Sequence, residues 1–417
     1  MKSKIYIEPP QVSKNRIVYQ YHIKGDWVEV FKKKQMFYIE YSCDISSVPE
    51  SVAVIPLLCN ILPVSWIYDA EIEVNSCDKD FFNSVKEFKQ GYIDMYPKMQ
   101  FGGKLSVNKV EDNKKNKVGG VVSFFSGGVD AFNTLTIHAE EKPTLITLWG
   151  ADIAIGDIKG WENVQKQLHQ VAEEFQVDYI TIKSSLRCFL DEDKLSAMTR
   201  EDDSGGWWHG FQHGIGLISH AAPITYSMGK SVVYIASSFT IKEKGLIPCA
   251  SDPTIDNNLR FCESQVVHDG YEFNRQDKIH NITEFSKKCG IKIPLRVCWQ
   301  SQGGKNCCLC EKCWRTILGI IAEKEDPRKY GFDYSDKEFN HIVKLMKRCS
   351  NPMFGELRYE PIQSAMRKNY TLLELQPKLK WFYNIDINRL GYHPLYTFAR
   401  RYKNRVKRVL KARTDTK

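Results

Sequence analysis

The run Ser126-Gly127-Gly128-Val129-Asp130 follows an apolar stretch, Val121-Val-Ser-Phe-Phe, and precedes a helical pattern beginning at Asp130. Adjacent glycines let backbone N–H groups approach an anion without interference from a Cβ. A helix that starts there adds unpaired N-terminal donors and the positive end of its dipole. The turn therefore reads as a cradle for phosphate or pyrophosphate, the bland alternative being an ordinary strand-to-helix connection. No Lys-Ser/Thr pair follows the glycines, so it is not a Walker A loop.

A second cluster is built of thiols. Cys307, Cys310 and Cys313 are spaced C-x2-C-x2-C, and Cys298 lies nine positions upstream, at the end of an expected strand. Four thiolates on short turns suit tetrahedral Zn²⁺, and a closed four-sulfur shell is structural. An Fe–S cluster or a clump of buried cysteines are the alternatives. Cys308 is left over, and spacing alone selects Cys307 in its place. The chain has thirteen cysteines, an odd number. With no export signal at the start, a reduced cytoplasmic setting is expected, in which clustered cysteines bind metal and scattered ones fill the core.

Between these motifs lie other groups with chemical potential. Asp152 follows a strand in Gly150-Ala-Asp152. His209 and His213 are four apart, a spacing that can bind metal but reads better as packed or substrate-contacting histidines. Ser237-Ser238, Ser251-Asp252, His268-Asp269, Arg275 and Lys278 supply acids and cations suited to Mg²⁺ and polyphosphate.

Placing these groups requires a layered fold. From Gly119 strands and helices alternate: Val121–Phe125, Thr144–Trp149, Val177–Ile182 and Val232–Ala236 read as strands. Trp161, Val164, Leu168, Val171, Ala172 and Phe175 fall at helical spacing. This alternation predicts an α/β domain with a parallel sheet over residues 116–325, whose ligands bind at the carboxyl ends of its strands. Residues 1–115 form an α+β unit, with strand patterning at Ile17–Tyr21, Trp27–Phe31 and Phe37–Tyr41 and a helix over Asp80–Met95. Residues 326–417 read as a helical extension. The net charge of +9 is concentrated at its end, where Arg400–Lys417 holds nine cations against Asp415 alone. That segment is either a solvated basic tail or a contact for an anionic polymer or membrane surface. The longest apolar run, Val52–Tyr68, is broken by Pro56, Asn60 and Pro63 and reads as core.

The S-G-G-x-D element after a first strand resembles the PP-loop of the N-type ATP pyrophosphatases, a superfamily that includes GMP synthetase, asparagine synthetase and tRNA-modifying ligases. The order of turn and four-cysteine site is similar to that of 7-cyano-7-deazaguanine synthases. The likeness covers about residues 119–323. It implies a Rossmann-like, HUP-type sheet with a zinc segment and cleavage of ATP·Mg²⁺ to AMP and pyrophosphate. A carboxylate or carbonyl of a small molecule or nucleobase is adenylated, and ammonia or an amine then gives an amide or nitrile. Ser126, Gly127, Gly128, Val129, Asp130 and Asp152 are implied to hold the nucleotide, with Ser126, Asp130, Asp252 and Lys278 serving the chemistry. The family's usual serine is Ala131 here. Sulfur transfer through Cys262 or Cys308, and non-catalytic nucleotide binding, are the rival expectations. A homodimer is a further one.

Overall fold

The computed structural model describes residues 3–114, 118–199, 205–246, 248–298, 304–348 and 356–387, so the basic segment 400–417 lies outside the described residues. Two compact units, Met1–Phe273 and Asn274–Lys417, make up the chain. That division differs from the breaks expected near 115 and 325. The protein is α/β with mixed sheets, and its central sheet is mostly parallel.

In the first unit the strands are β1 Lys4–Ile7, β2 Gln11–Val12, β3 Arg16–Val18, β4 Tyr21–Lys24, β5 Tyr38–Tyr41, β6 Glu71–Asp78, β7 Lys104–Glu111, β8 Val121–Phe124, β9 Thr144–Trp149, β10 Tyr179–Ser184, β11 Val232–Ala236, β12 Arg260–Phe261 and β13 Ser264–Asp269. A four-stranded sheet has the order β4-β1-β6-β7, and a nine-stranded sheet the order β12-β13-β11-β8-β9-β10-β5-β3-β2. The strands from β13 to β10 are mutually parallel. Taken in chain order, these five lie 3-2-1-4-5 across the sheet. β8 is central and all four of its residues are buried, as a strand covered on both faces requires.

The N-terminal region is continuous with this sheet. β5 pairs antiparallel with β10, Ile39 lying opposite Ser184. One apolar core runs through the unit, from Trp27, Trp66 and Tyr92 to Ile146, Phe211 and Val233. Buried polar groups reinforce the join. Gln212 Nε2 donates to Asn60 Oδ1 (2.7 Å) and to the Leu186 carbonyl (2.8 Å), and Trp207 Nε1 donates to Gln212 Oε1 (3.1 Å).

Periodicity and outcome agree closely for the helix Ile158–Phe175, which buries Trp161, Val164, Leu168, Val171, Ala172 and Phe175 and is capped by Asp157. The run Val52–Tyr68 becomes the helix Ile55–Ile67, almost wholly buried. Trp27–Phe31 is not a strand: Asp26–Val30 forms a 3₁₀ turn that buries Trp27 and Val30, three apart. The Trp27 indole donates to the Lys24 carbonyl at 3.0 Å, which closes that turn. The alternating pattern is satisfied by a single-sided turn as well as by a strand.

In the second unit the helices Arg275–Cys289, Glu311–Ala322, Asp336–Arg348, Glu356–Asn369 and Lys380–Asn384 form the framework. Asn274 begins it with a reciprocal cap, accepting from the amides of Gln276 and Asp277 while Asp277 accepts from the Asn274 amide. Residues 291–298 have no regular structure, so Cys298 does not end a strand as expected. Among the described residues no helix is long and apolar enough to cross a membrane.

Candidate functional site

The glycine turn leaves β8 at its carboxyl end. Two bonds fix its entry: the Phe125 amide donates to the Ile146 carbonyl (2.8 Å), and Thr147 Oγ1 donates to the Phe125 carbonyl (2.7 Å). Ser126 is exposed. Gly127 has φ +76°, in the left-handed region that glycine enters without strain, and a Cβ there would lie 3.1 Å from Gln167 Oε1. Gly128 caps the nine-residue helix Val129–Ile137 with extended backbone and no side-chain hydrogen bond. The amides of that first turn thus have no side-chain cap, the arrangement that suits an anion. Asp130 lies in the same turn, and Ala131 is buried just beyond it.

This turn stands where the sheet reverses direction. Chain order proceeds from β8 to β9 and β10 on one side, then to β11 and β13 on the other. In open parallel sheets ligands bind outside the carboxyl ends of the strands at such a reversal of strand order.

Of the other expected residues, Asp152 and Asp252 lie in segments that follow β9 and β11 of this sheet. Asp152 is exposed in the loop after β9, which Gly150 opens with φ +112°. Arg187, in the loop after β10, holds the same turn by donating to the Ala151 carbonyl at 3.3 Å. Its guanidinium is clamped bidentately by Glu192 (2.8 and 2.6 Å) and lies 4.5 Å from the Trp208 ring centre. Asp252 caps the short helix Pro253–Asp256, accepting from the Thr254 amide (2.9 Å) and hydroxyl (2.6 Å). One of its oxygens is therefore engaged in capping. Lys278 belongs to the second unit, on helix Arg275–Cys289, and is 2% exposed.

Of the two histidines noted in sequence, His209 sits on a π-helical turn, Trp208–Gln212, and His213 is the residue that caps its C-terminal end, so the pair does not share an α-helix. Burial pushes His213 down to about 4 and also lowers His209, so both imidazoles are neutral at pH 7. His213 Nδ1 is buried and has no hydrogen-bond partner among the described residues. On β13, His268 Nδ1 meets Asp256 Oδ2 at 2.8 Å, and Ser251 donates to the same oxygen at 2.7 Å. Asp256 and Arg187 were not legible in the sequence. Each acts through a partner brought in by the fold, and neither belongs to a local motif.

The thiol site belongs to the second unit. Sulfurs of Cys298, Cys307, Cys310 and Cys313 all lie within 4.8 Å of one another and could hold a metal ion such as zinc. Cys298 Sγ is 3.8 Å from Cys310 Sγ, which is 3.5 Å from Cys313 Sγ. Sulfurs about 2.3 Å from a central zinc form a tetrahedron with edges of about 3.8 Å, so the spacing fits. Burial raises the Cys307 thiol above its ordinary value, and the amides of Leu309 and Cys310, which donate to its Sγ at 3.4 and 3.3 Å, work against that rise. Hydrogen bonding from Cys313, ahead of the other thiols, pulls Cys310 down to about 5. Asn306 pins the two halves, accepting from the Val297 amide (2.9 Å) and donating to the Leu295 (2.8 Å) and Gly331 (2.9 Å) carbonyls.

Geometry also separates Cys307 from Cys308. Cys308 adopts φ +51° and is buried outside the cluster, while its carbonyl accepts the Trp314 indole N–H at 2.6 Å. The left-handed residue reverses the chain so that Cys307 and Cys310 face one centre. No family model, curated protein or solved structure matches the chain.

Proposed function

We propose that the protein is an AMP-forming, ATP-dependent ligase of the PP-loop ATP pyrophosphatase type, with a Rossmann-like, HUP-type sheet. The observation that carries this reading is the Ser126-Gly127-Gly128 turn, which opens a helix at a glycine N-cap, at the reversal point of a 3-2-1-4-5 sheet. That strand order is the one in which doubly wound sheets bind nucleotides.

In this reading the backbone of residues 126–129 and the first-turn amides hold the β- and γ-phosphates of ATP. A carboxylate or carbonyl oxygen of the acceptor attacks the α-phosphorus, and the bond to the bridging oxygen breaks. Pyrophosphate departs into the cradle, whose donors stabilise the charge as it develops. Ammonia or an amine then adds to the activated carbon, loses a proton and expels AMP. Mg²⁺ would neutralise phosphate charge, with Asp130 the residue of the turn suited to hold it. Asp152 is suited to the ribose or base side, since Arg187 fixes the loop that carries it. A zinc ion at the four cysteines would be structural, because all four positions are filled by protein sulfur. Sulfur transfer is less well supported, since its candidate carriers Cys262 and Cys308 are only 6% and 1% exposed.

Product identity tests the reading. With α- and γ-labelled ATP and a panel of carboxylate acceptors, label is expected in AMP and pyrophosphate. Label in ADP and free phosphate would overturn the assignment. A finer result is expected for Asp130→Asn: nucleotide affinity falls modestly and turnover falls far more, because the interaction strengthens as the leaving group gains charge. Equal losses in both quantities would remove Asp130 from that role.

A further inference from the structure

We propose that His138 is a proton-operated latch on the helix that the glycine turn opens. As imidazolium it ties the far end of that helix to β13 and β11, and as neutral imidazole it releases that end. His138 directly follows helix Val129–Ile137, and its amide donates to the Thr134 carbonyl at 3.0 Å. Both ring nitrogens face carboxylates. Nε2 lies 3.0 Å from Asp269 Oδ1, where β13 ends, and Nδ1 lies 2.5 Å from Glu141 Oε1, in the 3₁₀ turn Ala139–Glu141. The ring stacks on Tyr234 of β11 with 4.1 Å between centres, and the Tyr234 hydroxyl reaches the two Glu141 oxygens at 3.3 and 3.2 Å. One turn earlier in the helix, buried Thr134 donates its hydroxyl to Asp269 Oδ2 at 2.6 Å. The Asp269 carboxylate thus receives the helix at two points, and of the two donors only His138 changes charge near neutral pH.

A neutral imidazole has one N–H, so it serves only one of the two carboxylates. The other then meets a ring lone pair at hydrogen-bond distance, which is a repulsive contact. The imidazolium donates to both, and its charge also suits the C-terminal end of the helix dipole. The titratable groups facing the ring come from three elements: Asp269 from β13, Glu141 from the 3₁₀ turn and Tyr234 from β11. β8, on which the helix also packs, is Val121-Val-Ser-Phe and has no titratable residue. Lys142, just beyond the turn, is directed to the Phe175 carbonyl at 2.9 Å. Hydrogen bonding, chiefly to Asp269 and then to Glu141, raises His138 above its ordinary value against the opposing effect of burial. Burial is also the main cause that pushes Tyr234 up to about 12, so its hydroxyl keeps its proton through the neutral range. The His138 side chain is 18% exposed, so its proton exchanges with solvent without any opening of the core. With a folded value above the unfolded one, the latch stabilises the native chain fully below about pH 6.5. That contribution is lost as pH rises through the folded value.

The latch goes beyond the proposed ATP chemistry, since it concerns the helix and not its ligand. Two measurements on the full chain test it: magnetic resonance titration of the His138 ring, and amide hydrogen exchange of residues 129–137 at about pH 6 and about pH 8. The proteins compared are the wild type and His138→Gln, in which glutamine keeps a donor but has no titrating charge. In the wild type the ring is expected to titrate above about pH 6.5. Protection of the helix amides, corrected for the intrinsic pH dependence of exchange, should fall at least about tenfold between the two pH values, the loss of one charge-assisted hydrogen bond. In His138→Gln protection should stay at the lower level at both. A ring that titrates at or below about pH 6.5 overturns the proposal. So does equal wild-type protection at the two pH values, or a fall of the same size in the variant. Should His138→Gln fail to fold, the wild-type titration and protection decide. Failure of ATP to yield AMP would overturn the proposed function and leave each of these results unaffected.

Discussion

Valine at position 128 is expected to weaken ATP binding by at least about a hundredfold, the loss of two charge-assisted hydrogen bonds, with little loss of folding stability. The contrast with position 127 makes the test informative. Gly128 has φ −81° and ψ 172°, a conformation that branched residues adopt without strain. A side chain there enters the space in front of the first-turn amides, so a fall in affinity reports steric exclusion of the ligand. Gly127 has φ +76°, and its Cβ position lies against the Gln167 amide. Gly127→Val therefore combines exclusion with backbone strain of about 1–3 kcal/mol, and its melting temperature should fall as well. Nucleotide titration read together with thermal unfolding separates the two variants. Wild-type affinity in Gly128→Val would show that the turn is merely a connection between strand and helix.

A larger structural effect is expected at the thiols. Purified protein should contain about one zinc per chain, and removal of the metal should unfold the second unit, because ligand bonds in a structural site contribute folding energy directly. Cys310→Ser should do the same, since Cys310 lies close to both Cys298 and Cys313. Trp314 is a local reporter. Its ring is fully buried, hydrogen-bonded to the Cys308 carbonyl and packed edge-on at 5.1 Å against both Tyr334 and Phe339. A red shift of its emission, absent in Trp314→Phe, should accompany chelation. Proteolysis should then concentrate after residue 273, while the first unit, which has its own core, remains resistant. Metal-free protein with native emission and protease resistance would contradict a structural role. Stoichiometric iron with visible absorption would replace zinc by an Fe–S cluster.

Local signals carried most of what could be read from the sequence. The four cysteines lie within sixteen residues, so their convergence is a property of short turns. The glycine turn and the helix Ile158–Phe175 are equally local, one set by backbone freedom and the other by a repeating apolar stripe. What escaped notice depends on distance along the chain. Asp256 meets His268 across a tight turn and a strand pairing, and Gln212 meets Asn60 from far along the chain only when the core assembles. The pairing of β5 with β10 is likewise invisible to periodicity, because both strands carry the apolar alternation of any sheet member. Trp27–Phe31 shows the converse case, in which a strand-like alternation served a turn that buries two residues three apart.

That long-range pairing has a consequence for how the protein is made. β5 ends at Tyr41, whereas β10, the strand it pairs with, begins at Tyr179. At about 5–20 residues per second, the ribosome needs roughly 7–30 seconds to deliver β10 after β5 has been synthesised. Over that interval β5 and the strands beyond it have no parallel core to join, and the β4-β1-β6-β7 sheet can be completed first. A chain begun at residue 116 meets the opposite difficulty: Tyr179–Ser184 becomes a bare edge with unpaired backbone groups, a template for association with other copies. The N-terminal segment thus closes the flank of the parallel sheet, and the glycine turn's supporting layer is finished only by residues translated well before it.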